Sequence, residues 1–307
     1  MQLIRQAADL KTAGKKVCLA IGVFDGVHLG HQQIIRQTLA DARQHDSLAL
    51  AVTFDRHPNA IVAPNQEPPL IYPLPQRIRA IESLGADALL LIEFTRAFSE
   101  QSGETFIRDL SHDFGRIQSI CVGADFVFGH KRSGNVPLLR QLGSELHFQV
   151  HGMAALALDG AVVSSTRIRS AIQSAAFDAA SQMLGRAYSI SGTVVMGDQL
   201  GRKLGFPTAN LDVTGLALPA NGVYAARLTV NGSTHHAVLN IGVRPTIETG
   251  QSERRFEVHV LDFAGDLYGA ELEVEFRTKL RDELKFRSLD ALKVQIAADI
   301  AAAKLCF

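Results

Sequence analysis

The sequence predicts an α/β domain followed by a small antiparallel β-barrel with a C-terminal helix, and three observations carry that reading. Short apolar, β-prone runs alternate with helical patterns from Val17 to about Leu184, the alternation of a doubly wound parallel sheet. From Tyr188 the chain turns strand-rich, and helical periodicity returns only between Ser288 and Lys304. A chain of 307 residues accommodates two ordinary domains better than one very large one. Gly185, a residue able to end a helix, sets the boundary, giving domains 1–185 and 186–307.

The first strand, Val17 to Ile21, is uniformly apolar, as a strand covered on both faces must be. It exits into GVFDGVHLGH, residues 22–31, which begins with Gly22, Phe24 and Asp25. The run after it places Ile34, Ile35, Leu39 and Ala42 at helical spacing, so His28 and His31 flank the first turn of a helix. Unpaired N–H groups and the helix dipole favour an anion there, and two imidazoles three residues apart can donate to phosphate oxygens as charge builds. Two other readings stay open: half of a metal site, or simply polar residues at a helix start.

The next strand, Leu48 to Phe54, delivers Asp55, Arg56, His57 and Pro58 to the same sheet edge. Six of the ten prolines fall between Pro58 and Pro75, which predicts no regular helix and a mobile loop over the site, or else a surface linker. A helix over Gln76–Leu84, a strand over Ala88–Glu93, a helix over Ser102–Phe114 and a strand over Ser119–Val122 follow. That strand exits into GADFVFGHKRSGN, residues 123–135, where glycines leave room for a ligand beside Asp125, Arg132 and Asn135. SSTRIR, residues 164–169, offers Ser165 or Thr166 as a helix cap.

In the second half, Gly222–Val230 and Thr234–Ile241 read as a hairpin through Asn231 and Gly232, and Phe256–Phe263 with Leu267–Phe276 as a second one. The closing helix, Ser288–Lys304, carries Leu289, Leu292, Ile296 and Ile300 on its apolar face. GDQLGRKLGFPTAN, residues 197–210, lacks the Walker A pattern, yet Gly201, Arg202 and Lys203 make a reasonable phosphate cradle; a flexible charged turn is the plainer reading. Alternation puts Phe256, Val258 and Val260 on one face of their strand and Glu257 on the other. A carboxylate among apolar neighbours acquires a raised pKa and can act as a base toward a hydroxyl, although a solvated strand residue would look the same.

Lysine plus arginine total 31 and aspartate plus glutamate total 31, which argues against nucleic acid as the main partner. Cys18, Cys121 and Cys306 form no CxxC pair and suggest reduced thiols. The first residues show no apolar signal region and no stretch is long enough to span a bilayer. A cytoplasmic protein with no membrane partner is expected, with homo-oligomerisation left open.

GVFDGVHLGH resembles the HxGH signature of the nucleotidyltransferase superfamily, and in its full form it is similar to one family, the bacterial bifunctional riboflavin kinase/FMN adenylyltransferases (FAD synthetases). SSTRIR, PTAN at residues 207–210, NIGVRPT, FEVHVLDF and LRDELKF follow in that family's order, so the resemblance covers nearly the whole chain. It departs at Arg56, where the family has proline and whose replacement should loosen the turn, and at Asn135, where the family usually has aspartate. The resemblance implies a Rossmann-like nucleotidyltransferase domain that converts FMN and ATP to FAD and pyrophosphate, after the second domain has converted riboflavin and ATP to FMN and ADP. It implies catalytic roles for His28, His31 and Glu257. It places nucleotide at Gly22, Phe24, Asp25, His57, Asp125, Ser165, Thr166 and Arg169, and at Gly201, Arg202 and Lys203 in the second domain. Thr208 and Asn210 would hold Mg²⁺ or another divalent cation bridging the ATP phosphates, and Phe128, Arg281 and Phe286 would meet flavin. Two alternative readings account for less of the sequence. Adenylyl transfer to another phosphomonoester leaves the PTAN domain unexplained; a non-catalytic flavin- or RNA-binding module leaves intact His28, His31, Thr208, Asn210 and Glu257 without a task.

Overall fold

The computed structural model describes residues 1–230, 233–245 and 252–307. They divide into two compact units, one of residues 1–70 and 74–165, the other of residues 71–73 and 166–307.

The first unit is built on a six-stranded parallel sheet. Its elements are β1 (Gln2–Ile4), β2 (Val17–Ile21), α1 (Leu29–Gln44), β3 (Leu48–Phe54), α2 (Leu74–Glu82), β4 (Ala88–Ile92), α3 (Gly103–Phe114), β5 (Ile117–Gly123), α4 (Val136–Leu146) and β6 (Gln149–Met153). The strand order is β1-β4-β3-β2-β5-β6, every pair parallel. The order reverses between β2 and β5, and ligands of open α/β sheets bind outside the carboxyl ends of strands at such a reversal. The expected double burial of β2 is realised residue by residue. Val17, Leu19 and Ile21 join one apolar cluster, with α3 residues Phe106, Ile107 and Leu110; Cys18 and Ala20 join another, with Ile34, Ile35 and Leu39 of α1. The helices start where capping chemistry directs, Ser102 accepting from the Thr105 N–H ahead of α3 and Asn135 from the Leu138 N–H ahead of α4.

The proline-rich segment differs from expectation. A one-turn helix forms over Asn59–Val62 and a 3₁₀ turn over Pro64–Gln66, and α2 begins at Leu74 with Pro75 in its first turn. Proline at a helix start forfeits no hydrogen bond, so these prolines punctuate short helices and do not abolish them. Ile71 and Tyr72 are fully buried and group with the second unit, where Arg186 lies over the Tyr72 ring at 5.0 Å.

The second unit contains α5 (Ser165–Gln173) apart from its first residue, Ser165, which belongs to the first unit, then α6 (Phe177–Leu184), β7 (Ser189–Val195), α7 (Leu200–Leu204), β8 (Ala209–Leu211), β9 (Gly222–Val230), β10 (Ser233–Pro245), β11 (Ser252–Val260), β12 (Glu271–Arg281) and α8 (Leu289–Lys304). The strands close into an antiparallel barrel in the order β7-β8-β11-β10-β9-β12. Pairing of β9 with β10 matches the first expected hairpin, although its Asn231–Gly232 turn lies outside the described residues. The second expected hairpin does not form. β11 pairs with β8 and β10, while β12 pairs with β7 and β9, because closing the barrel draws the three-residue β8 in beside β11. Gly185 ends α6 with φ 69°, as expected. Phe177 of α6 packs on Phe276 at 4.8 Å and stacks with Tyr188 at 6.0 Å, so the helix pair before Gly185 covers one end of the barrel. On α8, Leu292, Ile296 and Ile300 are half-buried, whereas Leu289 is 57% exposed in the first turn.

Candidate active sites

At the exit of β2 the backbone is forced out of its relaxed regions: Phe24, Gly26 and Val27 all have positive φ, and for β-branched Val27 (φ 42°) that is a genuine strain. The turn is packed shut. Phe24 is fully buried over Gly22, where a Cβ would stand 2.8 Å from the Phe24 ring, so only glycine fits. His28 becomes the N-cap of α1, its Nδ1 accepting from the His31 N–H at 3.4 Å. An accepting Nδ1 puts the proton of neutral His28 on Nε2, leaving that atom a donor. The His28 and His31 rings stack with centroids 3.6 Å apart. Burial first, then the adjacent His28 and Arg77, holds His31 well below the usual histidine pKa, and its Nδ1 is buried without a hydrogen-bond partner. His31 is thus a neutral imidazole, stacked on His28 at a helix N-terminus. Among the described residues no cluster of three or more His, Cys, Asp and Glu side chains could hold a metal ion.

Of the other sequence-predicted residues, Ser165 meets this turn directly. Asp25 is buried, and its carbonyl accepts from the Ser165 hydroxyl at 3.2 Å. Ser165 is therefore not a cap: α5 already includes it, and Ser164 precedes the helix. His57 accepts from the Asn59 N–H through Nδ1 at 3.1 Å. Arg56, in place of the expected proline, is held by the Asp55 carboxylate at 2.8 and 3.0 Å, and that carboxylate also accepts from the Phe94 N–H. The Asp55 carboxylate thus links Arg56 and the Phe94 N–H at this turn. Thr166 is exposed on α5 and Arg169 is half-buried there. Asp125 is exposed in the turn after β5. Phe128, stacked on Phe126 at 5.0 Å, lines an aromatic cavity of about 590 Å³ with Phe54, Phe94 and Phe98, and Val23 and Pro58 of the two strand exits line it as well. The same lining includes Arg96, paired with Glu100 at 3.3 Å, and Lys131 and Arg132, a grouping the sequence reading did not assemble.

In the barrel, register does the assembling. Asn210 of β8 and Asn240 of β10 stand directly opposite Glu257 of β11 on either side, which puts the three side chains in one row on one face. Phe256 and Val258, on the other face, are fully buried in the barrel. Burial raises the Glu257 pKa above the ordinary carboxylate value, opposed by the Arg255 charge and a hydrogen bond with Asn240. The Arg255 Nη1 lies 3.6 Å from the Glu257 carboxylate and 2.8 Å from that of Asp198. His259 Nδ1 is 2.7 Å from the Pro207 carbonyl and fastens the start of the PTAN segment to β11. Arg255, Glu257 and His259 follow strand periodicity, so alternation could have added the first and last to the expected site.

The row opens into a cavity of about 280 Å³ lined also by Gly201, Thr208, Arg281 and Phe286. A second cavity of about 490 Å³ is lined by Arg202, Pro207, Phe263 and Tyr268, and Gln199 and Thr208 line both. Gly201, Arg202 and Lys203 do not form an open loop. They sit on α7, a single turn between left-handed Gln199 and Gly205, with Arg202 and Lys203 exposed. Gly197 and Gly201 allow close approach: a Cβ would stand 2.2 Å from Asn210 Nδ2 and 3.2 Å from Thr208 Oγ1 respectively. Arg281 is bound bidentately by the Asp299 carboxylate of α8 at 2.8 Å, and its guanidinium lies 5.8 Å from the Phe286 ring centroid.

Comparison with known proteins matches residues 10–167 to the FAD synthetase family model and residues 184–307 to the riboflavin kinase model. The bifunctional riboflavin kinase/FMN adenylyltransferase of Pseudomonas fluorescens is 38% identical over 304 residues, 99% of this chain and 97% of that one. That of Escherichia coli K12 is 37% identical over 309 residues, 100% and 98% of the two chains. This chain belongs to the bifunctional riboflavin kinase/FMN adenylyltransferase family. The fold is shared with a solved structure from Streptococcus pneumoniae named as a macrolide-efflux protein, at TM-score 0.83 and 28% identity over 98% of both chains. The family's two models thus fall on the parallel-sheet unit and on the barrel, with α5 and most of α6 between them. No helix among the described residues is long and apolar enough to cross a membrane.

Proposed function

We propose that the chain performs two successive ATP-dependent transfers on small-molecule substrates, phosphorylation of riboflavin to FMN in residues 186–307 and adenylylation of FMN to FAD in residues 1–185. The carrying observation is the Asn210–Glu257–Asn240 row lining one cavity that shares Thr208 with a second. Flavin occupies the cavity lined by Arg281 and Phe286, and ATP the one lined by Arg202. Glu257 accepts the proton of the riboflavin 5′-hydroxyl as the γ-phosphoryl leaves ATP, and its raised pKa supports that task. The donors of Thr208 and Asn210 are hard oxygens, which suit Mg²⁺, and Gly197 and Gly201 keep space beside both. When bound, the cation would neutralise phosphate charge.

In the parallel-sheet unit, His28 and His31 present N–H donors toward the α-phosphate of ATP while FMN phosphate displaces pyrophosphate; no protein nucleophile takes part. Gly22, Phe24 and Asp25 shape the turn, and His57, Asp125 and Ser165 complete the nucleotide site within this unit. The aromatic cavity containing Phe128 suits the three-ring flavin, with Lys131 and Arg132 of its lining available to the phosphate. Incubation with riboflavin, ATP and Mg²⁺, followed by chromatographic separation of flavins, tests the reading. FMN should form first and FAD after it; formation of neither in folded protein refutes both assignments.

A further inference from the structure

Arg77, on α2, is 2% exposed and among the largest fully buried side chains of the chain. Its Nη1 donates to the Val23 carbonyl at 3.0 Å, and its Nη2 to the carbonyls of Phe54 and, at 3.5 Å, Asp55. Its Nε is buried without an acceptor. Among the described residues no carboxylate is within ion-pair distance; Asp25 and Asp55 act on it only through space. A buried guanidinium satisfied by carbonyls alone is expensive, and a methionine would fill similar volume without that desolvation. The charge and the planar fork therefore have a task.

What the fork holds defines the task. Val23 belongs to the exit of β2, between Gly22 and Phe24, and Phe54 and Asp55 form the exit of β3 just before Arg56 and His57. The β2 exit is strained at Phe24 and Val27 and needs outside ties to stay there. Thr53 Oγ1 supplies one, donating to the same Val23 carbonyl at 3.0 Å, and Arg77 the other. Thr53 ties the Val23 carbonyl to the end of β3 itself, and the guanidinium carries the tie on to the carbonyls of Phe54 and Asp55, beyond the reach of Thr53. A lysine ammonium, a point donor, has no fixed fork with which to do so.

We propose that Arg77 is a positioning residue for adenylyl transfer: its buried guanidinium ties the exits of β2 and β3 so that the His28–His31 turn and the His57 turn address one phosphate group. This rests on the reading that His28 and His31 serve that reaction. The full-length protein carries its own control, because riboflavin phosphorylation in the barrel should not depend on Arg77.

The test measures FMN formation from riboflavin and, separately, FAD formation from FMN for Arg77→Met, Arg77→Lys and His31→Ala. In Arg77→Met, kcat for FAD formation should fall about 100-fold, as for a misplaced reacting group, with KM for FMN and ATP within about 3-fold of wild type. Arg77→Lys should fall about 10-fold, since it keeps the charge and loses the span. Riboflavin phosphorylation should be unchanged in both. FAD turnover near wild type in either variant, a loss carried by KM, or a parallel loss of both activities would overturn the proposal; should the Met variant fail to fold, the Lys variant decides. His31→Ala separates the two claims. If it retains FAD formation the reading of the site fails, and if it alone loses FAD formation only the role of Arg77 fails.

Discussion

Replacing Glu257 by glutamine removes basicity and keeps shape. The carboxylate faces Asn240 and Asn210 across the sheet, with Arg255 at 3.6 Å, and a glutamine side chain can occupy the same place and still accept from Asn240. General-base assistance is worth about 10²- to 10⁴-fold, or about 2.7–5.4 kcal/mol of barrier at 1.36 kcal/mol per decade. Riboflavin phosphorylation should fall into that range, while supplied FMN is still converted to FAD. Stability should move the other way. Burial raises the folded-state pKa of Glu257 above its unfolded value, so its favourable contribution is complete below the unfolded pKa and is lost as pH rises through the folded one. Near neutral pH the ionised carboxylate is a burden to the fold, and Glu257→Gln should be at least as stable as wild type. Single-turnover phosphorylation, where chemistry limits the rate, combined with denaturant midpoints near neutral pH, measures both quantities. Near-wild-type turnover, or a drop in midpoint with equal loss of both activities, refutes the assignment of Glu257 as base.

Three further outcomes follow from the geometry. Gly197→Ala would drive a Cβ to 2.2 Å from Asn210 Nδ2; phosphorylation and its Mg²⁺ requirement should worsen by about 10-fold or more while FAD formation from FMN is spared, and an unchanged Mg²⁺ titration would contradict Asn210 as a ligand. A fragment of residues 186–307 lacks Phe177, whose loss from its contact with Phe276 should cost about 3–5 kcal/mol, so it should unfold at lower urea than a fragment of residues 166–307; both should make FMN and no FAD, and equal midpoints or any FAD would count against the packing or the division of labour. His31 is held neutral, its folded pKa depressed, so below the unfolded pKa of about 6.5 the unfolded chain binds the additional proton and stability falls with pH; His31→Gln should flatten that decline in denaturant midpoints between about pH 7 and 5, and an unchanged slope would show that His31 is not its source.

Much of the fold was legible because single-strand periodicity reports burial directly. Val17 to Ile21 had to be covered on both faces, and Ile34, Ile35, Leu39 and Ala42 had to share one, since no other arrangement buries them. Pairing partners were less legible. The expectation that Phe256–Phe263 and Leu267–Phe276 form a hairpin assumed that neighbours in sequence are neighbours in the sheet, whereas closure of the barrel depends on β8, whose three residues are too few to show a period. Arg77 was invisible for a related reason. LPQRIRAIE carries two arginines in the same helical pattern, and only the fold decides that Arg77 is buried against the strand exits while Arg79 is exposed.

The same limit explains the chemistry of the barrel. Alternation along β11 separates Glu257 from Phe256 and Val258, but it cannot say what stands opposite. A one-residue slip of β8 or β10 would turn Asn210 or Asn240 to the other face and leave Glu257 without its neighbours, so register, set by barrel closure, fixes the site. Arg281 shows the complementary case. Its charge is already committed to Asp299 by two 2.8 Å hydrogen bonds, and breaking that half-buried pair for a neutral flavin ring would be unfavourable. Its proposed part in flavin binding is therefore geometric, holding the cavity-lining segment that carries Phe286 between β12 and α8.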